Sequence, residues 1–487
     1  MAFTENEEAQ VRAMLTAYSS GKKINDLTLA TGGVEEFMIE VQKKDGESGR
    51  INLYSAISIV NQKIAIRRWD ETLSSPIGEA FGNIDFLREL PSVLGLGCYL
   101  VTDDRKRKKL DPTNHYKYQD GSPAKLDGSE GQYMWCWNTH YYASWKEGNY
   151  FYEAVSLNPI DGKECYRIPE GGTSALGGGV IDRTNTILCS LISNDERYMG
   201  GCDSNNAFVN DQYKSRLGTC RTTVALNTFS TYARKRGEGW EANWYVSRAV
   251  QEYLFRIIMG TRHSQTAVNA NKDANGLYQG GLGAGVTNFS SAEWLEWSES
   301  TSYYQPMVPT SVGVELGDGV GQVPYNVLNR DGSVFKATNV PVFFGLKNMF
   351  GNLWQGVRGL IIDVGAEKSI GYVAPSLYAD YSNTSVSGLI QCAEQPRAGQ
   401  LYIKKMSMNK LCCLPTETGG SSSTYYADYH YENSATSQGL RSRLAGGAAI
   451  YGAGAGAFVT YSQFAVTFSS HTTSAPLCYF SEDPVIN

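Results

Sequence analysis

The chain has 487 residues, of which 42% are hydrophobic and only 19% charged, and its formal net charge at pH 7 is -6. The net negative charge argues against a nucleic-acid partner, which would need a basic face. The 51 glycines and 31 tyrosines favour a protein rich in strands and loops that displays tyrosine side chains. This length allows roughly two to four domains.

Residues 1–50 are predicted to form an N-terminal helix and attachment segment. Thr4 and Glu7 form a capping box, and an apolar stripe at helical spacing follows over residues 4–20. The stripe either packs on its own domain or docks with sister helices or a larger assembly, and the sequence leaves both open. The opening "MAFTENEE" lacks the apolar core of a signal peptide, so no export signal is expected.

Residues 51–155 are predicted to form a β-rich connecting domain. Apolar and polar residues alternate around Ile64 and Ile66, as expected for strands with one buried face. Further short β-segments are separated by Asp-Gly turns at Asp120 and Asp127.

The third predicted domain, residues 156–487, begins with strands and then contains two helices. The second helix, "YVSRAVQEYLFRIIMG", has an apolar face and ends at Gly260. Short strands and loops fill the rest, including the tyrosine-rich stretch "TETGGSSSTYYADYHYENSATSQG". Strands, then two helices, then strands predict an α+β fold with extensive loops.

The ten cysteines and five histidines carry no metal-site signature. No C-x-x-C, H-x-x-x-H or H-E-x-x-H pattern occurs, so we expect reduced, buried cysteines, no metal and no cofactor.

The stretch from Leu444 to Tyr461 is eighteen residues long and uncharged, which meets the minimum length of a membrane helix. Its five glycines argue against that reading, because each costs a helix roughly 1 kcal/mol relative to alanine. Gly452, Gly454 and Gly456 alternate strictly, whereas a phosphate-binding loop needs G-x-G-x-x-G. We therefore predict a core strand with tight turns, and no membrane span.

Two stretches resemble a known family. "GLKNMFGNLWQGVRG" is similar to the "GL-x-x-M-x-GN-x-W-E" segment of the formylglycine-generating-enzyme-like branch of the C-type lectin fold, with Gln355 at the glutamate position. "RLAGGAAIYGAGAGAFVTY" resembles that branch's "RGGS" region and the core strand after it. The main matching positions are Gly345, Gly351, Asn352, Trp354, Gly446, Gly447 and Phe458.

The resemblance implies an α+β protein in which the N-terminal helix and a β-rich attachment region precede a C-type lectin-like domain at residues 156–487. Two departures from the family bear on function. No cysteine lies between Cys413 and Cys478, where the enzymes carry their copper-binding pair, and the calcium motifs of sugar-binding lectins are absent. Neither an enzyme with catalytic residues nor a calcium-dependent lectin is expected.

The remaining use of such a scaffold is ligand display, as in phage receptor-binding and fibre proteins of the retroelement-diversified tropism-determinant type. That resemblance implies a homo-oligomer, most often a trimer, an N-terminal attachment to other virion proteins, and a host surface glycan or protein as ligand. The protein would assemble in the host cytoplasm and reside in the virion, on a tail or head fibre. The residues expected at the ligand-facing surface are Tyr451, Tyr461, Ser462, Gln463, Ser469, His471 and Thr472.

Three alternatives stay open at this point: a formylglycine-generating-type enzyme, a bacterial surface adhesin and a glycosidase. The missing cysteine pair opposes the first, and the missing signal peptide opposes the second. A glycosidase needs a pair of carboxylates, and no motif proposes one.

Overall fold

The computed structural model describes two strands near the N-terminus and most of the chain after residue 62. The described residues are 38–42, 48–52, 63–198, 200, 218–287, 289–290, 293, 308–328, 333–377, 384–397, 400–432 and 438–486. The helix predicted over residues 4–20 lies outside them.

The strands are, in chain order, β1 (Met38–Gln42), β2 (Ser48–Asn52), β3 (Ile64–Asp70), β4 (Glu79–Gly82), β5 (Gly97–Val101), β6 (Arg107–Asp111), β7 (Asn114–Tyr118), β8 (Gln132–Trp137), β9 (His140–Glu147), β10 (Tyr150–Ser156), β11 (Tyr166–Ile168), β12 (Gly171–Ser174), β13 (Val180–Asp182), β14 (Ile187–Cys189), β15 (Trp240–Ala242), β16 (Val268–Asn269), β17 (Gln279–Gly280), β18 (Val320–Leu328), β19 (Val334–Phe343), β20 (Leu346–Lys347), β21 (Trp354–Val364), β22 (Ser369–Val373), β23 (Ile390–Gln395), β24 (Leu401–Ser407), β25 (Leu414–Thr418), β26 (Tyr429–Tyr431), β27 (Gly439–Gly446), β28 (Gly456–Tyr461), β29 (Thr473–Ser474) and β30 (Leu477–Phe480). The described α-helices are α1 (Ile84–Val93), α2 (Leu226–Arg234) and α3 (Tyr245–Met259).

The described part of the protein is mostly β, so the predicted α+β class with a C-type lectin-like domain is wrong. Strands hold 41% of the described residues and helices 13%. An α+β fold segregates its helices on one face or at one end of a sheet. Instead α3 is enclosed by its neighbours, and all of its residues are buried.

A five-stranded sheet and a seven-stranded sheet contain most of the N-terminal strands. The first has the order β11-β9-β10-β3-β4, and the second has the order β15-β30-β12-β8-β5-β6-β7. In the second sheet, β8 pairs with β12, which in turn pairs with the C-terminal strand β30. The domain boundary predicted between residues 155 and 156 therefore crosses a continuous sheet.

A nine-stranded sheet, nearly closed into a barrel, holds the C-terminal part of the chain. Its path is β23-β22-β21-β27-β28-β26-β24-β25, with β29 pairing beside β21. The end strand β25 returns to contact β23, which nearly closes the sheet. Because β21, β27, β28 and β26 are consecutive in this sheet, residues at the ends of β21, β26 and β28 lie close together.

The two helices predicted in the third domain are confirmed as α2 and α3. Gly260 ends α3 in the left-handed conformation, at φ 65°. The predicted apolar face of α3 is buried, but so is its polar face, where Arg256 pairs with Glu153 at 2.6 Å and Arg248 with Glu252 at 2.8 Å. The sequence pattern missed α1, which Asn83 caps by accepting the Phe86 N–H at 2.9 Å.

The stretch from Leu444 to Tyr461, which we call the Gly/Ala stretch, forms a turn and a core strand, as predicted. A 3-10 helix spans Ala449–Gly454, and β28 begins at Gly456. A Cβ added at Gly456 would lie 2.0 Å from the Asp428 carboxylate, so only glycine allows this approach. Among the described residues, no helix combines the length and apolar character that a bilayer crossing requires.

Candidate functional site

An open cavity of about 210 Å3 lies at one side of the nine-stranded sheet, and we call it the aromatic cavity. Its lining is dominated by aromatic rings. The lining residues are Trp354, Gln400, Tyr429, Tyr431, Tyr451, Gly454, Val459 and Tyr461.

The rings of the aromatic cavity come from three strands of the sheet and from the 3-10 helix before β28. Trp354 begins β21, Tyr429 and Tyr431 lie at the two ends of β26, and Tyr461 ends β28. Because alternate residues of a strand share a face, Tyr429 and Tyr431 both reach the cavity, whereas His430 between them is buried. Tyr451 comes from the 3-10 helix that precedes β28.

The rings pack against one another in defined geometries. Trp354 and Tyr461 lie with their ring centroids 5.1 Å apart, and Tyr431 stacks on Tyr461 at 4.7 Å with an interplanar angle of 14°. Phe464 stacks on the same Tyr461 ring at 5.4 Å and continues the row to Phe468. Such contacts fix the rings before any ligand arrives.

Gly454 makes room for one wall of the cavity. A Cβ added there would lie 2.0 Å from the Tyr429 ring, well inside van der Waals contact. The small residues of the Gly/Ala stretch thus allow a backbone turn to pack directly on an aromatic side chain.

The cavity carries neutral polar groups. Burial raises the pKa of Tyr461, and it raises the pKa of Tyr451 against the opposing effect of a hydrogen bond with Trp354, so both phenols stay protonated. The Tyr461 hydroxyl donates to the side-chain oxygen of Gln463, and Gln400 lies exposed at the cavity wall. Flat apolar faces beside neutral hydrogen-bonding groups suit an uncharged ligand with both apolar and polar surfaces.

Of the residues predicted to face a ligand, the structure places Tyr451 and Tyr461 in the cavity wall and Gln463 against it. Both tyrosines are half-buried and not freely exposed.

Ser462 does not lie on an exposed face, and this part of the prediction is wrong. Its side chain is fully buried, because its backbone N–H donates to the Tyr431 carbonyl at 3.0 Å and turns the residue inward.

The other three predicted residues follow Phe468 in the segment that leads into β29. Ser469 is exposed, and His471 and Thr472 are half-buried. The Thr472 carbonyl accepts the Trp354 N–H at 2.8 Å. This hydrogen bond joins the segment to the backbone of Trp354. None of the three residues lines the cavity.

The motif residues behind the family resemblance have structural positions. Gly345, Gly351, Gly446 and Gly447 all adopt positive φ, between 73° and 89°, where a side chain would be strained. Asn352 is buried, and Phe458 is a core residue packed on Phe255 at 5.8 Å.

Trp354, another of the motif residues, is 5% exposed and also lines the cavity. Gln355, at the family's glutamate position, is fully buried and accepts a hydrogen bond from Arg248 at 3.0 Å.

Six of the eight lining residues were not predicted to face a ligand: Trp354, Gln400, Tyr429, Tyr431, Gly454 and Val459. The alternation in "DYHY" was the available signal, since two tyrosines at i and i+2 share one face of a strand. Gln400 offered no such signal, because only the return of β24 beside β26 brings it to the cavity.

No protein-family model matches the chain, and no curated protein matches it either.

Proposed function

We propose that this chain is a receptor-binding or fibre protein of a bacteriophage virion, and that its aromatic cavity binds a sugar unit of a host-surface glycan. The observation that carries the proposal is the cavity wall itself, in which Trp354 and four tyrosines surround a small opening. The sequence resemblance to tropism-determinant proteins supports the virion assignment.

The chemistry of the cavity supports a sugar. A sugar ring has apolar C–H faces that pack on aromatic rings and hydroxyl groups that hydrogen-bond to neutral donors and acceptors. Gln400 and Gln463 offer amides, and the tyrosines offer phenols, beside these rings.

The size of the cavity limits how much of a glycan chain can enter it. About 210 Å3 is below the roughly 300–1,000 Å3 of sites that hold drug-sized ligands. The cavity has room for one ring, so the remainder of a glycan chain would run over the surface. Binding of single units is weak, and attachment through several copies would raise the avidity.

Assembly belongs to the same proposal. A homotrimer would present three cavities, and the N-terminal segment would attach it to other virion proteins. Light scattering of the full-length protein should give about three times the chain mass of 53.5 kDa. A monomer at micromolar concentration would contradict the trimer without bearing on sugar binding.

The binding test uses immobilised host-surface glycans and whole host cells. The wild type should be retained, and the Tyr451→Ala/Tyr461→Ala double variant should lose retention. Tyr116→Ala, which removes a tyrosine that is 51% exposed and outside the cavity, is the matched control and should bind normally. Normal binding by a folded double variant would refute the site, and retention of no glycan and no cell by the wild type would refute the function.

A further inference from the structure

Three side chains outside the aromatic cavity form a compact mixed cluster. Cys98, His115 and Asp318 bring one sulfur, one ring nitrogen and one carboxylate oxygen within 4.8 Å of one another. Cys98 lies on β5 and His115 on β7, whereas Asp318 precedes β18. Cys98 and His115 are fully buried, and the Asp318 side chain is 9% exposed.

Hydrogen bonds hold these side chains in position. His115 Nδ1 lies 2.6 Å from the Tyr133 hydroxyl, and Nε2 lies 3.0 Å from Asp318 Oδ1. The Cys98 N–H donates to the same Asp318 oxygen at 2.8 Å. The Tyr133 hydroxyl can donate or accept, so it would also hold the tautomer with a free Nε2 lone pair, which is the form that binds metal.

Because Gly345 has no side chain, its backbone approaches all three groups closely. A Cβ added there would lie 2.6 Å from Cys98 Sγ, 3.1 Å from Asp318 Oδ1 and 3.2 Å from His115 Cε1. Ligand atoms of a tetrahedral zinc ion are about 3.3–3.6 Å apart, given metal–ligand distances of about 2.0–2.3 Å. The three ligand atoms lie within 4.8 Å of one another, with Nε2 and Oδ1 3.0 Å apart, so small side-chain movements would bring them to this spacing.

We infer that Cys98, His115 and Asp318 bind a Zn2+ ion that fastens the segment before β18 to the seven-stranded sheet. A thiolate, an imidazole and a carboxylate are zinc ligands, whereas Ca2+ and Mg2+ prefer oxygen alone. The thiolate and the carboxylate together balance the charge of the dication, and binding releases the Cys98 thiol proton. The buried ammonium group of Lys347 donates a hydrogen bond to the Thr310 carbonyl. A water molecule would be the fourth ligand of the zinc ion.

The zinc ion would have a structural role. Cys98 and Asp318 are 220 positions apart in the sequence, and His115 and Asp318 are 203 apart. A metal bridge between such distant residues restricts the unfolded chain and stabilises the folded one.

The test uses full-length protein made without a polyhistidine tag from zinc-supplemented cultures. Elemental analysis should find one zinc per wild-type chain, and replacement by Co2+ should give a thiolate-to-metal charge-transfer band. Cys98→Ser should lose the band and bind zinc at least about tenfold more weakly. Cys136→Ser is the matched control, since this thiol is equally buried on the neighbouring β8 but lies outside the cluster.

Wild-type protein gives a second readout that does not depend on a variant folding. Chelator treatment should lower its melting temperature, and Zn2+ alone should restore it. Wild type without stoichiometric zinc, a Co2+ form without the thiolate band, or a Cys98→Ser protein that keeps full affinity would each overturn the inference.

Discussion

The indole ring of Trp354 meets the phenol ring of Tyr451 edge-on, with the ring centroids 4.9 Å apart and the planes inclined at 71°. Trp354 belongs to the first family-like stretch and Tyr451 to the Gly/Ala stretch, so this contact joins both sequence features in one wall of the aromatic cavity. Edge-to-face pairs contribute about 0.5–1.5 kcal/mol beyond their buried area. The wall is therefore held in shape before a ligand binds.

Gln400→Ala should weaken glycan binding without weakening the fold. The side chain is exposed at the cavity wall, so its loss should change the free energy of unfolding by less than about 0.5 kcal/mol. Loss of one hydrogen bond to a sugar costs about 0.5–1.5 kcal/mol, or roughly two- to tenfold in affinity. Titration calorimetry and thermal denaturation measure the two effects separately. Unchanged affinity would place the sugar away from Gln400.

Gly454→Ala should narrow the cavity. The new methyl group would stand 2.0 Å from the Tyr429 ring, which must move into the cavity or away from its wall. Affinity should fall more than for Gly420→Ala, where a Cβ would keep at least 3.2 Å from its neighbours. A crystal structure of the variant shows where the Tyr429 ring goes. An unmoved ring and wild-type affinity would contradict the role given to Gly454.

The sequence predicted local elements better than the architecture. The periodicity and terminal glycine of α3 were sufficient to place that helix, because both are local properties. The burial of its charged residues was not predictable, since Arg256 meets Glu153 only after distant segments come together. The α+β class failed for the same reason: the pairing of many short strands depends on contacts far apart in sequence.

The candidate site, too, could be predicted from the sequence only in part. Tyr451 and Tyr461 could be identified because they flank the distinctive Gly/Ala stretch. Ser462 was assigned to the exposed face because the inward turn after β28 leaves no trace in the residue order. The cluster of Cys98, His115 and Asp318 has no spacing motif and could not be found without the fold.

Glu153→Gln should strongly destabilise the protein. Although burial alone would lower the pKa of Arg256, the Glu153 carboxylate raises it well above its ordinary value. Removing one partner of a fully buried ion pair costs about 3–5 kcal/mol, because the other charge is left uncompensated. Urea denaturation measures the loss.

The matched control for the ion pair is Glu394→Gln, whose partner Lys368 is 57% exposed. This surface pair should contribute less than about 1 kcal/mol. An equal decrease in the free energy of unfolding for the two variants would contradict the burial of the Glu153–Arg256 pair.

Asp428→Asn should gain stability relative to the wild type as the pH rises from 4 to 7. Burial raises the pKa of Asp428 well above its usual value, against the hydrogen bond from the Phe458 N–H and the charge of Arg248. Above pH ~4 the Asp428 carboxyl ionises in the unfolded state but stays protonated in the folded state. The free energy of unfolding of the wild type therefore falls by up to about 1.4 kcal/mol per pH unit until the folded carboxyl also ionises. The asparagine variant lacks this dependence.

Urea denaturation at several pH values tests the Asp428 prediction, with the exposed Asp161→Asn as control. A difference between Asp428→Asn and the wild type that is the same at pH 4 and pH 7 would show that Asp428 is ionised in the folded protein.

A crystal structure of the full-length protein with its retained host glycan tests whether a sugar ring occupies the aromatic cavity. We expect density for one sugar ring packed on Tyr451 and Tyr461, with a hydroxyl within hydrogen-bonding distance of Gln400. A glycan bound elsewhere on the protein, with the cavity holding only water, would contradict it.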